Sequence, residues 1–333
     1  MSAHVHRHDD HDRILLEAVA PLADSLRAEG LVRGFFYLRY WEGGPHLRVR
    51  LLSAPGRADQ VRDRLVDALG GYLRERPSTR RIDPDAYRQV ARTIAEFEGH
   101  HAYDSRIHPA DTIRFVPYPP EHASFGVGAA LTLVESHFDL STRVALATLA
   151  RPGSGRQGAA LAMTISLLAA LAEGTAGRLV RGVPGGGGPA AFDRAEAEAT
   201  HRRLRPELEA TAIGLGAGGA AGDPGPVAPR ASHDPAAAPL ALWHDGVRFL
   251  RTGLTELMAD GRFAPAPGTG APAASTPTAS TPTASTPAGR FPVDRALFRC
   301  LHLHLNRLGV TVAQEARLRH IAALTLDGLT QGA

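Results

Sequence analysis

Apolar residues recur at three- and four-residue steps over 12–30 (Ile14, Leu15, Val19, Leu22 and Leu26), and Gly30 ends the run, which predicts a helix. Residues 31–40 turn to aromatic and β-branched side chains. Glu42, Gly43, Gly44 and Pro45 carry turn chemistry, and 46–52 alternate polar with apolar, so 31–52 is expected to form a β-hairpin. The helical period returns over 57–76, 84–98, 128–150, 157–171, 192–212, 240–261, 292–308 and 312–326, with a short strand over 112–116. Helices dominate by length.

Between these segments the pattern fails in three places. Residues 183–190 are glycine-rich, 214–239 are Gly/Ala/Pro with almost no large apolar side chain, and 262–290 contain the repeat Ala-Ser-Thr-Pro-Thr. Such stretches cannot contribute to a core and read as extended, disordered linkers. The expected organisation is a disordered tail over 1–11, a main body with the hairpin over 12–182, helices broken by linkers over 183–290, and C-terminal helices over 291–328 docking back on that body. The tail holds His4, His6, His8, Asp9, Asp10 and His11; its composition suits metal ligation, but its terminal position reads as disorder, and no metal site is assigned to it.

Composition narrows the function classes. The 333 residues contain no Lys, so all 37 basic residues are Arg, and Asn306 is the single Asn. This looks like drift in a GC-rich genome, in which a replaceable Asn would have been lost. The net charge of +3 comes from nearly balanced ions, so charge alone does not imply nucleic-acid binding. The single Cys, Cys300, excludes an internal disulfide and a Cys-based metal site. No apolar stretch reaches the ~20 residues of a membrane span, and no secretory signal is visible, so a cytoplasmic protein is expected. There is no P-loop, dinucleotide fingerprint or nucleophile elbow.

Three segments could carry chemistry. In the hairpin, a period of two puts Arg39 on the face of Phe35 and Tyr37. It puts His46, Arg48 and Arg50 together on one face of the second strand, a row of cations suited to a carboxylate or a developing oxyanion. The row also reads simply as the solvated face of an amphipathic strand. In 298–309, read as a helix, Phe298, Leu301, Leu305 and Leu308 form the buried stripe, His302 and Asn306 lie one turn apart at its edge, and His304 points away. A strand reading would bring His302 and His304 to one face. Histidine suits acid/base work and an amide can orient a ligand. The third segment is a stiff loop in which Pro117, Pro119 and Pro120 present Tyr118 and Glu121.

These segments, in this order, resemble the C-terminal domain of lantibiotic dehydratases and the related stand-alone thiopeptide-type bacteriocin biosynthesis proteins. The carrying residues are 36–40 (Phe-Tyr-Leu-Arg-Tyr), 45–50 (Pro-His-Leu-Arg-Val-Arg), 118–121 (Tyr-Pro-Pro-Glu) leading to Phe125-Gly126, and 302–308 (His-Leu-His-Leu-Asn-Arg-Leu). The resemblance implies an α+β fold, helix-rich, with a mixed β-sheet flanked by helices. It implies a tailoring enzyme of ribosomally made peptides. The reading favoured is the glutamate-elimination partner of a split dehydratase, forming dehydroalanine or dehydrobutyrine; the alternatives are a pyridine synthase and a leader-peptide-binding scaffold. His302, with His304 second, would be the acid/base, and Arg48, Arg50 and Arg39 would bind the glutamyl carboxylate or the enolate. Tyr118, Glu121, His46, Asn306 and Arg307 would contact substrate. The implied partners are a precursor peptide, leader and core, and a separate tRNA-dependent glutamylating dehydratase; direct nucleic-acid or membrane binding is not required, and a homodimer stays open. No cofactor or metal is implied. Ser124, Phe125, Gly126 and Val127 stand where the family often carries an Arg and a Gly pair; if that Arg takes part in elimination, its absence weakens the lyase reading and raises the cycloaddition reading or a non-catalytic one.

Overall fold

The computed structural model describes residues 1–98, 102–151, 155–172, 192–215, 239–263 and 291–331. Residues 183–190, 216–238 and 264–290 of the expected linkers lie outside the described residues. The chain divides into two compact units, Met1–Pro120 and Glu121–Ala333, so the body expected over 12–182 contributes to both.

The first unit is a four-stranded sheet with helices. Its strands are β1 (Ser2–His6), β2 (Val32–Tyr40), β3 (His46–Ser53) and β4 (Thr112–Phe115), in the order β2-β3-β1-β4. Every pairing is antiparallel, so the sheet is not the mixed one expected. A second correction concerns the N-terminus. Residues 2–6 are not part of a disordered tail: β1 is the inner strand that joins β3 to β4. Ala3 and Val5 alternate with His4 and His6, and this two-residue period buries the small apolar pair completely.

Helix α1 (11–28) consists of turns His11–Ile14 and Ala20–Ala28 flanking a π turn, Leu15–Val19. Pro21 lacks the N–H that would bond the Glu17 carbonyl, and the widened turn lies just before it. With α2 (Ala58–Glu75) it supplies Ile14, Leu15, Leu26, Val61, Leu65 and Leu69, all buried, to a core shared with Phe35, Tyr37, Leu47, Val49 and Leu51. Each such side chain contributes roughly 1.5–3 kcal/mol on burial. The β2–β3 turn needs Gly43 at φ 77°, and a Cβ there would come within 2.8 Å of the His108 ring. Tyr87 of α3 (Pro84–Glu98) grips this turn: its hydroxyl accepts from the Gly44 N–H and donates to the Trp41 carbonyl, both at 2.9 Å.

The second unit is helical among its described residues: α4 (His122–Phe125), α5 (Ala129–Leu149), α6 (Gly155–Ala172), α7 (Arg194–Gly214), α8 (Pro239–Ala259), α9 (Phe291–Arg307) and α10 (Val312–Gln331). Helices α5 and α8 approach closely because Gly246 and Gly253, two turns apart, face Leu140 and Leu133, also two turns apart. Helix α9 packs on α5, α6 and α8, and α10 packs on α6 and α7. No described helix is long and apolar enough to cross a membrane.

Candidate functional site

In the first unit the sheet register sorts the arginines. Arg48 and Arg50 lie opposite Leu38 and Phe36, while Arg39 lies opposite Leu47 and hence on the face that α1 and α2 cover. Arg39 is therefore not beside Arg48 and Arg50 as expected. Its guanidinium donates to Asp12 of α1 at 2.5 Å. Arg39→Gln should leave turnover within about twofold and cost about 1 kcal/mol of stability, read by steady-state rates and a urea titration.

The opposite face carries His4 and His6 of β1, His46, Arg48 and Arg50 of β3, and Thr112 and Arg114 of β4. Aromatic rings hold the arginines in place. The Arg48 guanidinium lies 3.3 Å from the centroid of Tyr40, and that of Arg50 lies 4.4 Å from Tyr118 and 5.5 Å from Phe36. Arg48 also pairs with Glu42 at 3.6 Å and donates through Nε to His46 Nε2 at 3.4 Å. His46 itself is 1% exposed, with Nδ1 donating to the Gly44 carbonyl at 2.9 Å, so it supports Arg48 from beneath instead of meeting a ligand.

A stack of imidazoles continues from it. His46 lies 4.7 Å from both His4 and His6, and His6 lies 4.8 Å from His108, whose Nε2 accepts from Arg114 at 2.5 Å. Burial, and then the Arg48 charge, pushes His4 down to about 3; burial, then His46, does the same to His6, and burial lowers His46 to about 3 as well. These rings are neutral at pH 7. Among the described residues no group of three or more His, Cys, Asp or Glu is arranged to hold a metal ion. Two clefts flank β4. One, of about 390 Å³, is lined by Arg62, Phe115 and Tyr118, and the other, of about 520 Å³, by Arg106, His108, Thr112 and Arg114.

In the second unit α9 is the helix expected, and His302 and Asn306 lie half-buried one turn apart along it. Gly309, at φ 75°, ends the helix, and the Val310 N–H returns to the Leu305 carbonyl at 3.0 Å. Thr311 and Gln314 then form a reciprocal capping box: the Thr311 N–H donates to Gln314 Oε1 at 2.9 Å and the Gln314 N–H to Thr311 Oγ1 at 3.3 Å. That box fixes the start of α10 and turns Glu315 toward α9. His302 Nδ1 donates to Glu315 Oε2 at 2.7 Å, and Glu315 Oε1 lies 3.6 Å from Arg319. His302 keeps 29% of its side chain exposed, against 8% for Glu315. Glu121, just before α4, accepts from Arg299 Nε of α9 at 3.2 Å.

His304 and Arg307 are placed differently from expectation. Both are fully buried, because α9 packs on α4, α5, α6 and α8 and more than one stripe of it faces inward. His304 stacks on Trp243 at 4.1 Å, with Nδ1 2.8 Å from Ser141 Oγ and Nε2 2.9 Å from Met163 Sδ, and burial pushes its pKa well below the usual value. Arg307 donates to the same Ser141 hydroxyl at 3.1 Å and lies 5.1 Å over Phe138. These two residues organise the bundle interior and present nothing to a ligand. Burial pushes the Cys300 thiol up to about 12, so it is not a nucleophile. Glu315 and Arg319 were not singled out from the sequence, although the capping box and their four-residue spacing were there to be read.

The model of the family described as lantibiotic biosynthesis dehydratase C-term matches residues 1–326. The chain belongs to the lantibiotic dehydratase C-terminal family. This makes it a relative of proteins that build ribosomally made, modified peptides. Similar solved structures include the pyridine synthase TbtD from thiomuracin biosynthesis, 21% identical, with 100% of this chain and 99% of that chain covered at a TM-score of 0.72. TsrL is 19% identical, with 99% and 95% covered and a TM-score of 0.58. The tRNA-dependent lantibiotic dehydratase MibB from Microbispora sp. 107891 is 17% identical at 0.55, with 99% of this chain but only 28% of the dehydratase covered. At these identities the likeness establishes the fold. The sequence matches none of the curated proteins.

Proposed function

We propose that this family member is a pyridine-synthase-type tailoring enzyme, which joins two dehydroalanines of a precursor peptide in a formal cycloaddition and releases water and the leader. The observation that carries this reading is the end-to-end correspondence with a pyridine synthase, 100% of one chain and 99% of the other. Ser124 where family members often carry an Arg supports it. Ring formation needs an amide proton moved to its oxygen, then protons delivered to the departing hydroxyl and leader amide. His302, half-exposed and held by a carboxylate, has the chemistry for these transfers. A separate glutamylating dehydratase would supply the dehydroalanines.

Glutamate elimination is the second reading, and the Arg48–Arg50 row favours it. Removing an α-proton beside a carbonyl builds negative charge while a glutamate carboxylate departs, and rigid guanidiniums stabilise both charges. Intact-mass analysis separates the readings. Incubation with a dehydroalanine-bearing precursor should release the leader and one water. Loss of a glutamyl unit from a glutamylated precursor would instead make the protein a lyase, and binding of both peptides without mass change would make it a scaffold.

A further inference from the structure

We infer that Glu315 is the positioning residue for His302, setting its tautomer so that Nε2 is the open, proton-accepting nitrogen. The inference deepens the reading above, but its structural part stands without it. A carboxylate only accepts hydrogen bonds, so the Nδ1 that lies 2.7 Å from Glu315 Oε2 carries the proton, and the neutral ring then has its lone pair on Nε2. A free histidine side chain prefers its proton on Nε2, so the carboxylate reverses that preference.

The carboxylate is itself held. Its Oε1 lies 3.6 Å from Arg319, whose guanidinium sits 4.9 Å over the Phe298 ring. Phe298 and His302 are one turn apart on α9, and Glu315 and Arg319 are one turn apart on α10, so the four side chains cross-tie the two helices as a rectangle. Glu315 is 6% exposed and cannot swing to another partner, whereas the His302 ring reaches the surface. His304, two residues on, shows the contrast: both of its nitrogens face buried side-chain atoms. Of the two histidines in the His-Leu-His run, only His302 combines an anionic orienting partner with exposure.

The test is ring-nitrogen NMR on the full chain labelled with 15N-histidine, with His302→Gln used to assign the His302 signals. Wild-type protein at pH 8 should show a protonated Nδ1 and an unprotonated Nε2. Glu315→Ala should move the proton to Nε2 in most molecules, and the isosteric Glu315→Gln, which keeps the packing if the Ala variant fails to fold, should give a mixture. With a dehydroalanine peptide, Glu315→Gln should lower kcat by about 10- to 100-fold with KM within twofold. An Nδ1-protonated ring in the folded variants, unchanged from wild type, would overturn the inference and leave Glu315 as a tie between helices. A moved proton with unchanged turnover would support the positioning role and count against His302 as the acid/base of the proposed reaction.

Discussion

The protein should lose stability steeply as pH falls below about 6.5. The first unit contains four histidines whose pKa is depressed in the fold, since His4 and His11 are lowered to about 3 and about 4 beside His6 and His46, and the second contains two deeply buried ones. His6 and His46 in the first unit are each 1% exposed and lowered to about 3; in the second, His137 is 5% exposed and lowered to about 3, and His304 is fully buried and lowered well below its usual value. Burial is the leading cause in all six, since a charged ring would have to be stripped of water. Below the unfolded value of about 6.5 the unfolded chain takes up protons that the folded chain refuses, so protonation favours unfolding. Each such histidine contributes a slope of about 1.4 kcal/mol per pH unit in the window between its folded and unfolded pKa, so the slopes add within each unit. Carboxylates held low by arginines, such as Asp104 by Arg106, act in the same direction only below about pH 4. Unfolding free energies from urea titrations at pH 7.5 and 5.0 should therefore differ by several kcal/mol, more in the first unit than in the second. His46→Gln should lower the first unit's slope between pH 6 and 5 by about a quarter. A flat profile over that interval would show that these rings are already solvated.

Trp243→Ala should cost about 3–5 kcal/mol and lower Tm by about 10 °C. Trp243 is fully buried, its ring stacks on His304 at 4.1 Å and lies 5.4 Å from His137, and its Nε1 donates to the Met163 carbonyl at 2.9 Å. Truncation removes the largest side chain of the bundle interior together with its hydrogen bond to the Met163 carbonyl. Trp243→Phe keeps most of the ring and forfeits the hydrogen bond, so its expected cost is about 1–2 kcal/mol. Differential scanning of both variants at pH 7.5 distinguishes the contributions. Equal losses would mean that the hydrogen bond, not the packing, dominates at this position.

Both effects arise from buried polar groups. His304 stands three residues after Leu301 and four before Leu308, so the helical period itself puts it beside the buried stripe, although the pattern of one helix cannot tell how many neighbours surround it. Four helices packed on α9, namely α4, α5, α6 and α8, make that flank an interior position. The same reading put Arg39 on the face of Phe35 and Tyr37, which the β2–β3 register bears out. Only the docking of α1, with Asp12 at 2.5 Å, decided that this face is the covered one.

What the sequence by itself determined is what depends on near neighbours. The helices from α1 to α10, apart from the one-turn α4, and the hairpin with its Gly43–Gly44 turn follow from three- to four-residue and two-residue periods closed by glycine and proline, all interactions within a few residues. Family membership was likewise legible in short motifs. The placement of β1 was not, because its partners are β3, more than 40 residues away, and β4, more than 100 away. Nothing local rewards an Ala-His-Val-His strand until both neighbours are present. The pairing of His302 with Glu315 lies between these limits: each residue is fixed on its own helix by local caps, but the 2.7 Å contact exists because two helices fold back across Gly309. Secondary structure is set by local backbone preference, while charge partners, burial and the state of each histidine are set by whatever the tertiary fold brings alongside.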